Sequence, residues 1–173
     1  MKIDPVSRRR PRCIPRPRGH CRGRLGAALL AAALLLLPAF ASSARAQDMN
    51  LSCLGGGRLG DAELARGTTI VVVWASWSPR SRDIAERVSA LAGRWGARAR
   101  VVTVNFQEDR PTFERFLAGK ALGAPICLDG DGAFSRKYNV ATLPGLLVVK
   151  DGEVAYHGKL PDNPDQVIGD LLH

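Results

Sequence analysis

Thr68 to Ser76 read TTIVVVWAS, and from Ile70 to Ala75 no position is polar. The β-branched residues favour an extended backbone. An extended segment without alternation has two apolar faces, and both must be covered, which is the situation of a central strand in a layered α/β sheet. Gly67 bounds the run. Beyond it Ile84, Val88, Leu91 and Trp95 recur at helical spacing after Pro79, predicting a helix whose apolar stripe packs on that strand.

The alternation continues along the chain. ARVVTVNF, residues 99–106, reads as a second strand, and TFERFLAGKAL, residues 112–122, as a helix with Phe113, Phe116 and Leu117 on one face and Pro111 near its start. APICLDGDGAFSRKYNV gives a short extended piece, a glycine-rich turn and a short helix ending near Tyr138 and Asn139. GLLVVKDGEVAYHG predicts a hairpin turning at Asp151-Gly152, a pair suited to the positive φ values of a type I′ turn. NPDQVIGDLL predicts a last helix with Asn163 as its cap and Pro164 at its first position.

The first 46 residues read differently. Residues 1–24 carry nine Lys and Arg residues against one acid, Asp4; the apolar run Leu25–Ala41 follows, then SSARAQ with Ala44 and Ala46. Basic region, apolar region and small-residue site in that order predict an export signal cleaved after Ala46, leaving a mature domain at 47–173. An uncleaved anchor is the alternative, since about 17 apolar residues is the lower limit for spanning a bilayer. Removing this segment takes 10 of the 25 basic residues and one of the 16 acids, leaving fifteen of each. A neutral mature chain offers no electrostatic footprint for nucleic acid. Cys53 and Cys127 remain, an even count expected in an oxidising, periplasmic compartment. They are candidates for a structural disulfide; two buried thiols are the alternative.

VVVWASWSPRSR, VNFQED and DGDGAFSRKYNVATLPGLLVVKDGEV, in that order, resemble the thioredoxin-fold domains of the TlpA/ResA type. The resemblance covers nearly all of residues 50–172. It implies a thioredoxin-like α/β fold, a central mixed sheet with helices on both faces, in exported or membrane-anchored thiol–disulfide oxidoreductases, many of which serve cytochrome c maturation. By position, Trp77 matches the tryptophan of the family's W-C-x-x-C motif, Pro144 matches the cis-proline that faces it, and Ser78 and Ser81 stand where the two cysteines belong.

That departure removes the reacting atoms. Disulfide exchange needs one thiolate to attack sulfur and a second thiol to resolve the mixed disulfide, and serine can do neither. Locally SPRS reads as a helix start, with Ser78 as N-cap and Pro79 at the first helical position. A serine nucleophile would need a positioned base, and after residue 46 only His157 and His173 are histidines. No catalytic residue is therefore expected at Ser78 or Ser81. What the resemblance leaves is a binding surface of Trp77, Ser78, Pro79, Leu143 and Pro144, where an extended segment of an exported polypeptide or membrane-protein partner would pair through its backbone. The competing reading is an oxidoreductase acting through Cys127 or a Cys53/Cys127 pair. Neither reading calls for a cofactor, and Cys53, Cys127 and His157 lack metal-ligand spacing.

Overall fold

The computed structural model describes residues 48–173, and the expected export segment, residues 1–46, lies outside them. The chain opens with a hairpin, β1 (Asn50–Ser52) and β2 (Arg58–Gly60), and a single helical turn, α1 (Asp61–Leu64). Strand β3 (Thr68–Trp74), a 3-10 turn at Pro79–Ser81 and helix α2 (Ile84–Trp95) come next. Then follow β4 (Arg100–Phe106), α3 (Arg110–Leu117), β5 (Ile126–Asp129) and α4 (Ala133–Lys137). The hairpin β6 (Gly145–Lys150) and β7 (Glu153–Lys159), with α5 (Pro164–Leu171), completes it.

β3 is buried from Thr69 to Trp74 because it is central in both senses. Within the sheet it lies between β4, parallel to it, and β6, antiparallel, in the order β5-β4-β3-β6-β7. Across the sheet its alternate residues serve two cores. Ile70, Val72 and Trp74 pack with Ile84, Val88 and Leu91 of α2, Phe113 of α3 and Ile168 of α5. Val71 and Val73 pack with Leu51 and Leu59 of the first hairpin, Leu64 of α1 and Phe134 of α4. This is the thioredoxin-like arrangement, a mixed sheet with helices on both faces.

The sequence reading passed over the first hairpin, whose strands have three residues each and are separated by the Gly55–Gly57 run. It is nevertheless fixed firmly. Cys53 of this segment bridges Cys127 of β5 as an antiparallel β-bridge, the two are joined by a disulfide, and the Leu54 N–H donates to the Ile126 carbonyl at 2.8 Å. Cys127 is completely buried. On the other side of the hairpin the Asp61 carboxylate accepts bonds from the Met49 N–H, Lys137 Nζ and the Tyr138 hydroxyl. Burial opposes the charge on Asp61, but these bonds and the Lys137 cation outweigh it and hold the carboxyl below its ordinary range. Burial, the Asp61 charge and that hydrogen bond push the Tyr138 phenol up to about 12.

Three helices differ at their ends from the sequence pattern. α3 begins at Arg110, capped by Asp109, whose carboxylate accepts the Thr112 N–H at 2.9 Å, and stops at Leu117 instead of 122. Ala118 and Gly119 have φ values of 44° and 80°, which turns the chain out of the helix. Asn163 makes no side-chain cap for α5, whose start is set by Pro164. α2 begins at Ile84, one turn later than the motif suggests, because Pro79–Ser81 form a separate 3-10 turn. The type I′ reading of Asp151-Gly152 agrees with their φ values of 50° and 89°.

Candidate functional site: a groove at the end of the central strand

In an open α/β sheet the crevice for ligands lies beyond the carboxyl ends of the strands. Here that end of β3 continues into Ala75–Ser81. The Ser78 N–H donates to the Ala75 carbonyl at 3.2 Å, and the Ser81 N–H to the Ser78 carbonyl at 2.9 Å, so two successive turns expose Trp77 and bury both serines. Ser78 takes the N-cap position of this 3-10 turn with Pro79 next, as expected, but its side chain makes no cap bond. The backbone of its short turn is already closed by the Ser81 N–H, and its hydroxyl instead donates to the Leu143 carbonyl at 3.0 Å. The Ser81 hydroxyl is fully buried and has no partner among the described residues.

Leu143 belongs to the facing wall. The Leu143–Pro144 peptide bond is cis, and the Pro144 carbonyl accepts the Leu160 N–H at 2.9 Å, which ties this corner to the end of β7. The position after it must be glycine: a Cβ on Gly145 would lie 2.8 Å from Val140 Cγ1 and 2.9 Å from the Thr142 carbonyl oxygen.

Between the walls runs a groove of about 320 Å³ lined by Trp77, Ser78, Phe106, Val140, Ala141 and Leu143. None of these carries a charge. Trp77, 61% exposed, stands edge-on to Phe106 with ring centroids 6.5 Å apart. Their spacing has a visible cause in Glu108. Its carboxylate accepts the Ser76 N–H at 2.8 Å, the Ser76 hydroxyl, and Asn105 Nδ2 at 2.7 Å. Ser76 and Asn105 immediately precede the two aromatic residues, so one carboxylate joins the chain segments that carry them.

Of the residues singled out from the sequence, Trp77, Ser78 and Leu143 meet in this groove. Pro144 lines a separate depression, and Pro79 is exposed at the start of its turn. Phe106, Val140 and Glu108 were not foreseen. VNFQED quotes two of them, but nothing in its pattern says that Phe106 leaves the core at the last position of its strand.

The arrangement limits the chemistry. The Ser78 proton is donated to an amide carbonyl, which cannot act as a base, and behind the loop β3 offers only apolar side chains from Ile70 to Trp74. Among the described residues no three potential metal ligands converge, and no helix is long and apolar enough to cross a membrane.

Solved structures similar to this fold share few of its residues. A secreted disulfide oxidoreductase of Mycobacterium tuberculosis, homologous to the Escherichia coli protein DsbE, aligns at 19% identity with a TM-score of 0.59, over 70% of this chain and 92% of that one. StoA of Bacillus subtilis aligns at 21% identity and TM-score 0.58, over 69% and 92%. The exposed lipoprotein thioredoxin of Streptococcus pneumoniae aligns at 18% and 0.62, over 72% and 97%. No curated protein sequence matches the chain. The Redoxin family model matches residues 38–172, more than half of the sequence, and the chain belongs to the Redoxin family.

Proposed function

We propose that this chain is an exported, redox-inactive member of its family that binds an extended polypeptide segment, from an exported protein or the exposed part of a membrane protein, in the groove between Trp77 and Leu143. The observation that carries the reading is the bond from the Ser78 hydroxyl to the Leu143 carbonyl. Where exchange chemistry would need a thiolate facing the substrate, this chain has a neutral hydroxyl already bonded to the opposite wall, while the groove itself persists. No hydrogen bond among the described residues takes up the Ala141, Thr142 or Leu143 N–H groups, which favours backbone pairing with an extended segment. The export signal read from residues 1–46 and the Cys53–Cys127 disulfide support a periplasmic location.

The second reading assigns redox work to the Cys53–Cys127 pair. Its disfavouring fact is the complete burial of Cys127 within the strand β5, where no exchange partner can reach its sulfur without local opening. One experiment separates the readings: insulin reduction by the mature protein beside its Ser78→Cys/Ser81→Cys variant. Activity in the variant alone supports deletion of the chemistry from an intact site. Activity in the natural sequence, lost in Cys127→Ala, would overturn it.

A further inference from the structure

Leu143 and Pro144, neighbours across the cis bond, line two different depressions. Leu143 and Ser78 line the uncharged groove beside Trp77. Pro144 and Arg80, each one or two residues further on, line a second depression of about 360 Å³ together with Lys159, Arg87, Asp83 and Asp162. The two chain segments that line the first groove therefore also line the second, so an extended segment paired with the backbone at Leu143 would lie beside both. Successive side chains of such a segment point to opposite sides.

The charges of the second depression are not spent internally in equal measure. Arg87 donates to the Leu160 and Pro161 carbonyls, at 3.5 and 2.6 Å. Arg80 and Lys159 are exposed and form no ion pair among the described residues; Asp83 and Asp162 likewise form none. Three cations against two carboxylates leave a positive surplus, which favours an anionic group there.

We propose that the site reads a two-part signal: a bulky uncharged side chain in the Trp77–Phe106 groove and an adjacent acidic side chain over Arg80 and Lys159. This rests on the peptide-binding reading and adds to it the class of sequence that is bound. Exposed charge pairs are weak, so the acidic position contributes roughly fivefold in affinity at low salt, while the apolar position decides whether binding occurs.

The test is an isothermal calorimetric titration of the mature protein with blocked hexapeptides. In each a leucine is followed, or preceded, by aspartate, asparagine or lysine among glycines. In one chain direction the aspartate peptide is expected to bind about fivefold tighter than the asparagine peptide and the lysine peptide more weakly, the differences shrinking in about 0.5 M salt. Arg80→Gln/Lys159→Gln should bring the Kd values of the aspartate and asparagine peptides to within about twofold of each other. Equal binding of the aspartate and lysine peptides in both directions, or an aspartate preference that survives in the double variant, would overturn the acidic part alone. Failure of every peptide to bind, the asparagine ones included, would overturn the groove reading and this inference with it. Far-UV circular dichroism of each variant shows that the fold is retained.

Discussion

The Ser78 hydroxyl donates to the Leu143 carbonyl at 3.0 Å, joining two walls of the groove that are 65 residues apart in the chain. The bond makes this side chain a structural tie between the two walls. The tie is half-buried, which gives it the weight of an ordinary protein hydrogen bond.

Ser78→Ala should therefore cost about 1 kcal/mol, read as a lower urea midpoint with unchanged slope. Amide exchange at Ser81 and Leu160, whose N–H groups are bonded to the Ser78 and Pro144 carbonyls, should quicken more than exchange in β3. Equal quickening everywhere would mean that the bond carries no local role.

Ser81 predicts the opposite sign. Its hydroxyl is fully buried without a partner, a state that costs roughly 1–3 kcal/mol for a polar group. Ser81→Ala removes that cost and leaves a small void, so thermal unfolding should show stability unchanged or raised by about 1 kcal/mol. A loss above about 2 kcal/mol would show that the hydroxyl is bonded after all.

The Cys53–Cys127 disulfide spans a sequence separation of 74. By the chain-entropy relation, closing such a loop contributes about 4 kcal/mol, so Cys53→Ala/Cys127→Ala should lose a comparable amount in chemical denaturation. The loss should be accompanied by faster exchange in β1 and β2, whose attachment to β5 the bridge secures.

The pair Asp61 and Tyr138 contributes at both ends of a pH profile. Asp61 titrates below its ordinary value of 3.8 in the folded chain, so its contribution is present above that pH and disappears as pH falls through the lowered folded pKa. Tyr138 is raised from 10.0 to about 12, so its contribution is complete below pH 10 and disappears as pH rises toward 12. Tyr138→Phe should flatten the alkaline limb in denaturation midpoints measured from pH 9 to 12, and Asp61→Asn the acid limb.

Local pattern sufficed wherever one element's burial is written in its own residues. The unbroken run Ile70–Ala75 has two apolar faces, and the structure covers both; Ile84, Val88, Leu91 and Trp95 form one stripe, and the stripe is buried. Asp151-Gly152 states its own turn because positive φ at both positions is a property of those two residues. That two serines and no thiol, Ser78 and Ser81, follow the end of β3 is likewise visible in the sequence. Tertiary structure alone decided the rest, because each case depends on a partner distant in the chain. Ser78 could cap its own turn or bond elsewhere, and only the approach of Leu143 selects between them. Strands of three residues have little preference of their own, so β1 and β2 exist through their seat on the sheet and the bridge from Cys53 to Cys127. The groove is likewise assembled from Trp77, Phe106 and Leu143, on three separate segments, and Glu108 fixes two of them through Ser76 and Asn105. Periodicity reports which face of an element is buried, but the meeting of several loop ends is set by how the whole sheet is packed.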